Sequence, residues 1–73
     1  MELREKLKIL LDHWIEHNDE HIKEYSEWIN KLKREGFTFV AKQIEAGALY
    51  LLKANDCFSK AKEMYEKYEK EGD

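Results

Sequence analysis

Three histidines, His13, His17 and His21, recur four residues apart within the stretch His13-Trp14-Ile15-Glu16-His17-Asn18-Asp19-Glu20-His21. On a helix, side chains at i and i+4 share a face, so neighbouring imidazoles of such a series can approach one metal ion together. Successive members drift by about 40° around the helix, so a single ion would not take all three. His17 and His21 are the expected pair, with His21 towards the core, His17 at its edge and His13 mostly outside. Glu24, one turn beyond His21, is the candidate carboxylate, and a symmetry mate would double the set. Cys57 is a further candidate, because an antiparallel fold about Gly36 sets residues 52–56 opposite residues 17–21. Imidazole ligands, with or without a thiolate, suit nickel, zinc or iron.

The same residues admit a second reading that needs no ion. Read every seven residues, Leu7, Trp14, His21 and Trp28 form one column, and Leu11, Asn18, Tyr25 and Leu32 form another. Ile15, Ile22 and Ile29 form a third. Asn18 and His21 interrupt otherwise apolar columns, and an unpaired polar group in a core costs roughly 1–3 kcal/mol. A polar layer in that position can fix helix register and oligomer state, as Asn does in coiled coils. On this reading Cys57 is a small buried hydrophobe and His13 is simply solvated.

Several specific chemistries are excluded by spacing. There is no zinc-finger pattern, no H-E-x-x-H and no C-x-x-C-H for covalent haem. A di-iron carboxylate bundle needs Glu-x-x-His. The residues three before His13, His17 and His21 are Leu10, Trp14 and Asn18. No nucleophile triad or phosphate loop can be assembled, so a catalytic role is not expected.

The elements that must position these residues are helices. The chain has 73 residues with no proline and three glycines. Glu2 and Glu5 begin a run of helix formers, and Lys31, Lys33 and Arg34 end it, as the helix dipole favours. Gly36 is placed to close that helix with a left-handed cap, and Phe37 to fold back on Leu32 or Lys33. Thr38 is the expected cap of a second helix. The reading is one domain over residues 1–73, with helix 1 at about 2–35, a turn at 36–37 and helix 2 at about 38–70. Each helix would be roughly 50 Å long, and so short a link requires an antiparallel hairpin.

Phe37, Ile44, Leu51, Phe58 and Tyr65 form an unbroken large column on the second helix. Val40, Gly47, Ala54, Ala61 and Tyr68 form a neighbouring column, small through its middle. Leu49 and Leu52 add apolar surface elsewhere. Two stripes this wide have only each other to pack against, so the all-α hairpin is expected to dimerise into a four-helix bundle or a higher homo-oligomer. One cysteine allows no internal disulfide and suits a reducing, cytoplasmic setting. Thirteen basic and sixteen acidic residues alternate along the chain, giving a net charge of −3. That pattern lacks the basic stripe of a nucleic-acid binder, and no apolar run is long enough for a membrane.

The segment from His13 to His21, followed by Tyr25 and Trp28, resembles short archaeal and bacterial helical-hairpin proteins. These share an H-W-x-E-H-N-x-E-H segment ahead of a Gly turn and an Ala-rich second helix. The resemblance implies a loose association with transition-metal handling and brings no catalytic activity with it. Two functions therefore stand side by side. One is a non-catalytic transition-metal-binding protein using His17 and His21, in metal handling or an accessory role. The other is a metal-free, self-associating interaction module with a His/Asn register layer, open to a protein partner.

Overall fold

A computed structural model describes residues 2–71, with side chains through Glu69. Two helices account for nearly all of it: α1, Leu3–Arg34, and α2, Thr38–Glu71. α1 runs unbroken through the His/Asn segment, because nothing between Leu3 and Arg34 is a proline or glycine. Glu5 in its first turn and Lys31, Lys33 and Arg34 in its last turn oppose the ends of the helix dipole.

Gly36 ends α1 as its position suggests. Its φ of 89° is a left-handed conformation that a side chain would strain. The Phe37 N–H donates to the Leu32 carbonyl at 2.9 Å and the Gly36 N–H to the Lys33 carbonyl at 3.2 Å. These are the two bonds of a Schellman motif, and they satisfy carbonyls that the helix end would leave orphaned. α2 begins at Thr38, but the capping role expected of Thr38 falls to the residue before it. The Phe37 carbonyl accepts from the Ala41 N–H at 2.9 Å, so Phe37 holds the cap position and Thr38 is the first helical residue.

α1 and α2 pack antiparallel into a plate 57 × 19 × 12 Å in extent. Twelve ångströms is the width of a single helix, so the hairpin is one helix thick and has two broad open faces. Its buried apolar residues are Leu11, Ile29, Ala41 and Ala48, and its buried polar residue is Asn55. The seam follows Leu11, Asn18 and Ile29 on α1. On α2 it follows Ala41, Ala48, Asn55 and Lys62, which recur every seven residues. Small residues in the middle of the seam let the helix axes approach, and larger ones close it from either side.

Ion pairs and hydrogen bonds hold the two ends. Near the turn, Lys33 Nζ donates to Glu45 Oε2 at 3.1 Å. At the open end, Lys62 pairs with Asp12, and the Tyr65 hydroxyl donates to the Arg4 carbonyl at 2.7 Å.

Candidate functional site

The middle of the seam is polar. Asn18 Nδ2 donates to Asn55 Oδ1 at 2.9 Å. Asn55 Nδ2 in turn donates to the Ile15 carbonyl at 3.1 Å and to Asp19 Oδ1 at 2.9 Å. Both hydrogens of the Asn55 amide and its oxygen are thereby used, which is what makes its burial tolerable. Asn18 therefore sits in a polar layer as its interruption of an apolar column suggested, but its partner is Asn55 and not a histidine. The antiparallel pairing that sets residues 52–56 opposite residues 17–21 already brings Asn55 within reach of this layer. Asn55 lies at heptad spacing from Ala41 and Ala48 and across the hairpin from Asn18, and that coincidence was the available signal.

His21 lies beside this layer and not within it. The expectation that it points into the core is corrected: its side chain is 39% exposed. The physical reason is rotation. α2 meets α1 along the Leu11/Asn18/Ile29 stripe, and His21, three residues after Asn18, lies about 60° around the helix from it. Trp14 and Trp28, seven residues either side of His21, share its displacement and are 40% and 51% exposed.

The three histidines do come together. His17 and His21 have ring centroids 4.4 Å apart in an edge-to-face arrangement, while His13 and His17 stack at 5.7 Å. Tyr25 stacks on the other side of His21 at 5.8 Å. His13 and His17 are exposed. Glu24 is also exposed, although its Oε2 lies 3.9 Å from His21 Nδ1. Cys57 carries a free, exposed thiol. It lies two positions after buried Asn55, a turn of about 200° that points it away from the seam. The default reading of Cys57 as a buried hydrophobe is corrected by the same rotation. Among the described residues, no group of three or more His, Cys, Asp or Glu side chains is placed to hold a metal ion.

The two faces of the plate differ in kind. On one, Trp14 packs against Phe58 with ring centroids 5.9 Å apart. A shallow depression there is lined by Tyr25, Ile44, Gly47, Ala48 and Leu51. A Cβ added at Gly47 would meet nothing within 4 Å. The helices therefore do not need Gly47 for their own packing. On the other face a groove lined by Ile22, Ile29, Leu49 and Leu52 is edged by Glu45. It continues into a patch that contains Asp12, Glu16, Glu63 and Glu66, with Lys62 among them. The first face is aromatic and carries His21, and the second mixes apolar and acidic side chains.

Two groups at the open end titrate above their ordinary values. Lys62 is raised from 10.5, first by its hydrogen bond to Asp12 and then by that carboxylate's charge. Tyr65 is raised from 10.0, mainly by burial of its hydroxyl. Neither belongs to the histidine cluster. No described helix is long and apolar enough to cross a membrane.

No curated protein and no solved structure matches the chain. A family match covers residues 7–65, a span that takes in all three histidines, the Asn18–Asn55 layer and most of both helices. The chain belongs to the family described as Domain of unknown function (DUF8180).

Proposed function

We propose that this hairpin is a self-associating interaction module, two copies of which pair through their Trp14/Trp28 faces into a four-helix bundle. The observation that carries this is the surface left over by the fold. The chain exposes 6185 Å². A compact monomer of its 8.8 kDa mass would expose about 4,800 Å². The difference, roughly 1,400 Å², exceeds the ~800 Å² per partner that a stable interface needs. Much of it is large and apolar: Trp14, Tyr25, Trp28, Phe37 and Val40 are all at least 36% exposed.

Charge selects the face. Pairing two acidic faces in parallel would set Asp12, Glu16, Glu63 and Glu66 against their own copies, and like charges brought together across an interface are costly. The aromatic face meets its copy without that conflict. The open column through Gly47 and Ala54 leaves room for the indoles of a partner, since aromatic anchors bind best in fitted pockets. The Asn18–Asn55 layer holds the two helices of each hairpin in the register that keeps this face continuous. Sedimentation equilibrium over a wide concentration range tests the reading. A species of twice the chain mass is expected. A helical, cooperatively unfolding monomer that persists at high concentration would refute it.

A further inference from the structure

The geometry points to a transition-metal site shared between two copies, with His17 and His21 of each chain supplying half of it. This rests on the self-association proposed above. Three observations converge on it.

The first is local. A tetrahedral ion with metal–nitrogen bonds of ~2.0–2.1 Å holds two ring nitrogens roughly 3.3 Å apart. The His17 and His21 rings, with centroids 4.4 Å apart, need only side-chain rotation to meet that demand. The Glu24 carboxylate, 3.9 Å from His21 Nδ1, is too distant for a hydrogen bond as it stands. A small rotation would make it the Nδ1–H acceptor and leave Nε2 for the ion, the usual outer partner of a metal-bound imidazole.

The second is that one chain cannot finish the site. Among its described residues no third ligand joins the pair. A single copy offers two imidazoles, whereas a closed tetrahedral site needs four donors.

The third is where the pair sits. α1 spans Leu3–Arg34, so its midpoint falls between Asn18 and Asp19, inside the His17–His21 turn. Two plates related by a twofold axis and paired over their whole length must set mid-height against mid-height, whether they run parallel or antiparallel. His21 is in the heptad column of Trp14 and Trp28, on the face that the second copy covers. The partner therefore delivers its own His17 and His21 to the same level. Four neutral imidazoles favour Zn²⁺, Ni²⁺ or Co²⁺ over Mg²⁺ or Ca²⁺.

The test titrates untagged, metal-stripped protein with Zn²⁺ and with Co²⁺, following stoichiometry by native mass spectrometry and geometry by the visible absorption of bound cobalt. One ion per two chains is expected, with the absorption of four-coordinate Co²⁺. Free Zn²⁺ at ten times its dissociation constant should tighten dimerisation by about tenfold. The double variant His17→Ala/His21→Ala, altered only at partly or fully exposed positions, should keep its helicity while losing the ion and any Zn²⁺-dependent tightening, measured against its own metal-free dissociation constant. His13→Ala should keep both. A wild-type dimer that takes up neither ion would overturn the shared site and leave the self-association standing. One ion per monomer would also overturn it. A monomer that binds no metal would overturn both proposals.

Discussion

Asn18 and His21 are three residues apart on one helix, and the fold treats them oppositely. Asn18 faces α2 and bonds to Asn55, whose remaining hydrogens go to Ile15 and Asp19. His21 faces sideways, between His17 and Tyr25, outside that hydrogen-bonded layer. The difference is about 60° of helix rotation. In a plate one helix thick, that rotation separates a polar group needed by the chain's own architecture from one left available to a second molecule. The same contrast distinguishes the small seam column Ala41/Ala48/Asn55 from the small outer column containing Gly47. One is filled by α1 and the other is open.

The comparison can be broken most severely from the outer face. Replacing Trp14 and Trp28 together with Glu should raise the dimer dissociation constant by about a thousandfold or more, two aromatic anchors each being worth ~2 kcal/mol or above. Helicity measured by circular dichroism should survive at concentrations where the wild type dimerises. An unchanged association would place the interface elsewhere.

The seam is tested next. Asn55→Ala leaves Asn18 without its acceptor and opens a gap, and urea unfolding should report a loss of about 1–3 kcal/mol. Replacing Asn18 and Asn55 together with Leu should be nearly neutral or stabilising, because no buried polar group is then unpaired. Its effect should be on uniqueness. Amide spectra should show more than one register or oligomer if the layer acts as a specificity device. A double variant as unstable as Asn55→Ala would contradict that role.

Gly47 sharpens the contrast between the two small columns. With open space where its Cβ would go, Gly47→Ala should stabilise α2 by about 1 kcal/mol through helix propensity alone. Thermal melts at concentrations where the chain is monomeric read this directly. In the dimer, where a partner's indole would fill that space, the gain should shrink or reverse, and an equal gain in both states would place the interface elsewhere.

The smallest effect concerns pH. Lys62 and Tyr65 both hold their protons more tightly in the fold than at their ordinary values of 10.5 and 10.0. Their contribution is complete below those values and is lost as pH rises through the raised ones. The open end should therefore fray at alkaline pH while the turn end holds. Hydrogen exchange resolved along the chain would register it, and Tyr65→Phe should remove part of the dependence.

Much of the fold was legible in the residues. The absence of proline, the charges at the ends of α1 and Gly36 at its C-terminus define two helices and an antiparallel turn within a residue or two. These are local properties of the backbone, set by dihedral preference and the helix dipole, so no distant contact is needed to read them. The level of the site was legible too, because equal helices about a fixed turn put residues 17–21 opposite residues 52–56. The histidine spacing likewise ensures a cluster on one helix face whatever else the chain does.

The choice of seam was not legible. Three adjacent columns of α1 are apolar enough to face α2, and the pattern alone ranks Leu7/Trp14/His21/Trp28 beside Leu11/Asn18/Tyr25/Leu32. Only packing decided between them. Ala41, Ala48 and Asn55 admit close approach along one line, and Asn55 finds its acceptors only if Asn18 and Asp19 are there to meet it. Once that line was taken, Trp14, Trp28 and His21 were carried to an open face and Cys57 to solvent. Composition and period determined that this chain is a hairpin with a histidine turn at its middle. Which of its polar groups are buried, and which remain free to meet a second copy or an ion, is a property of how two helices rotate against each other.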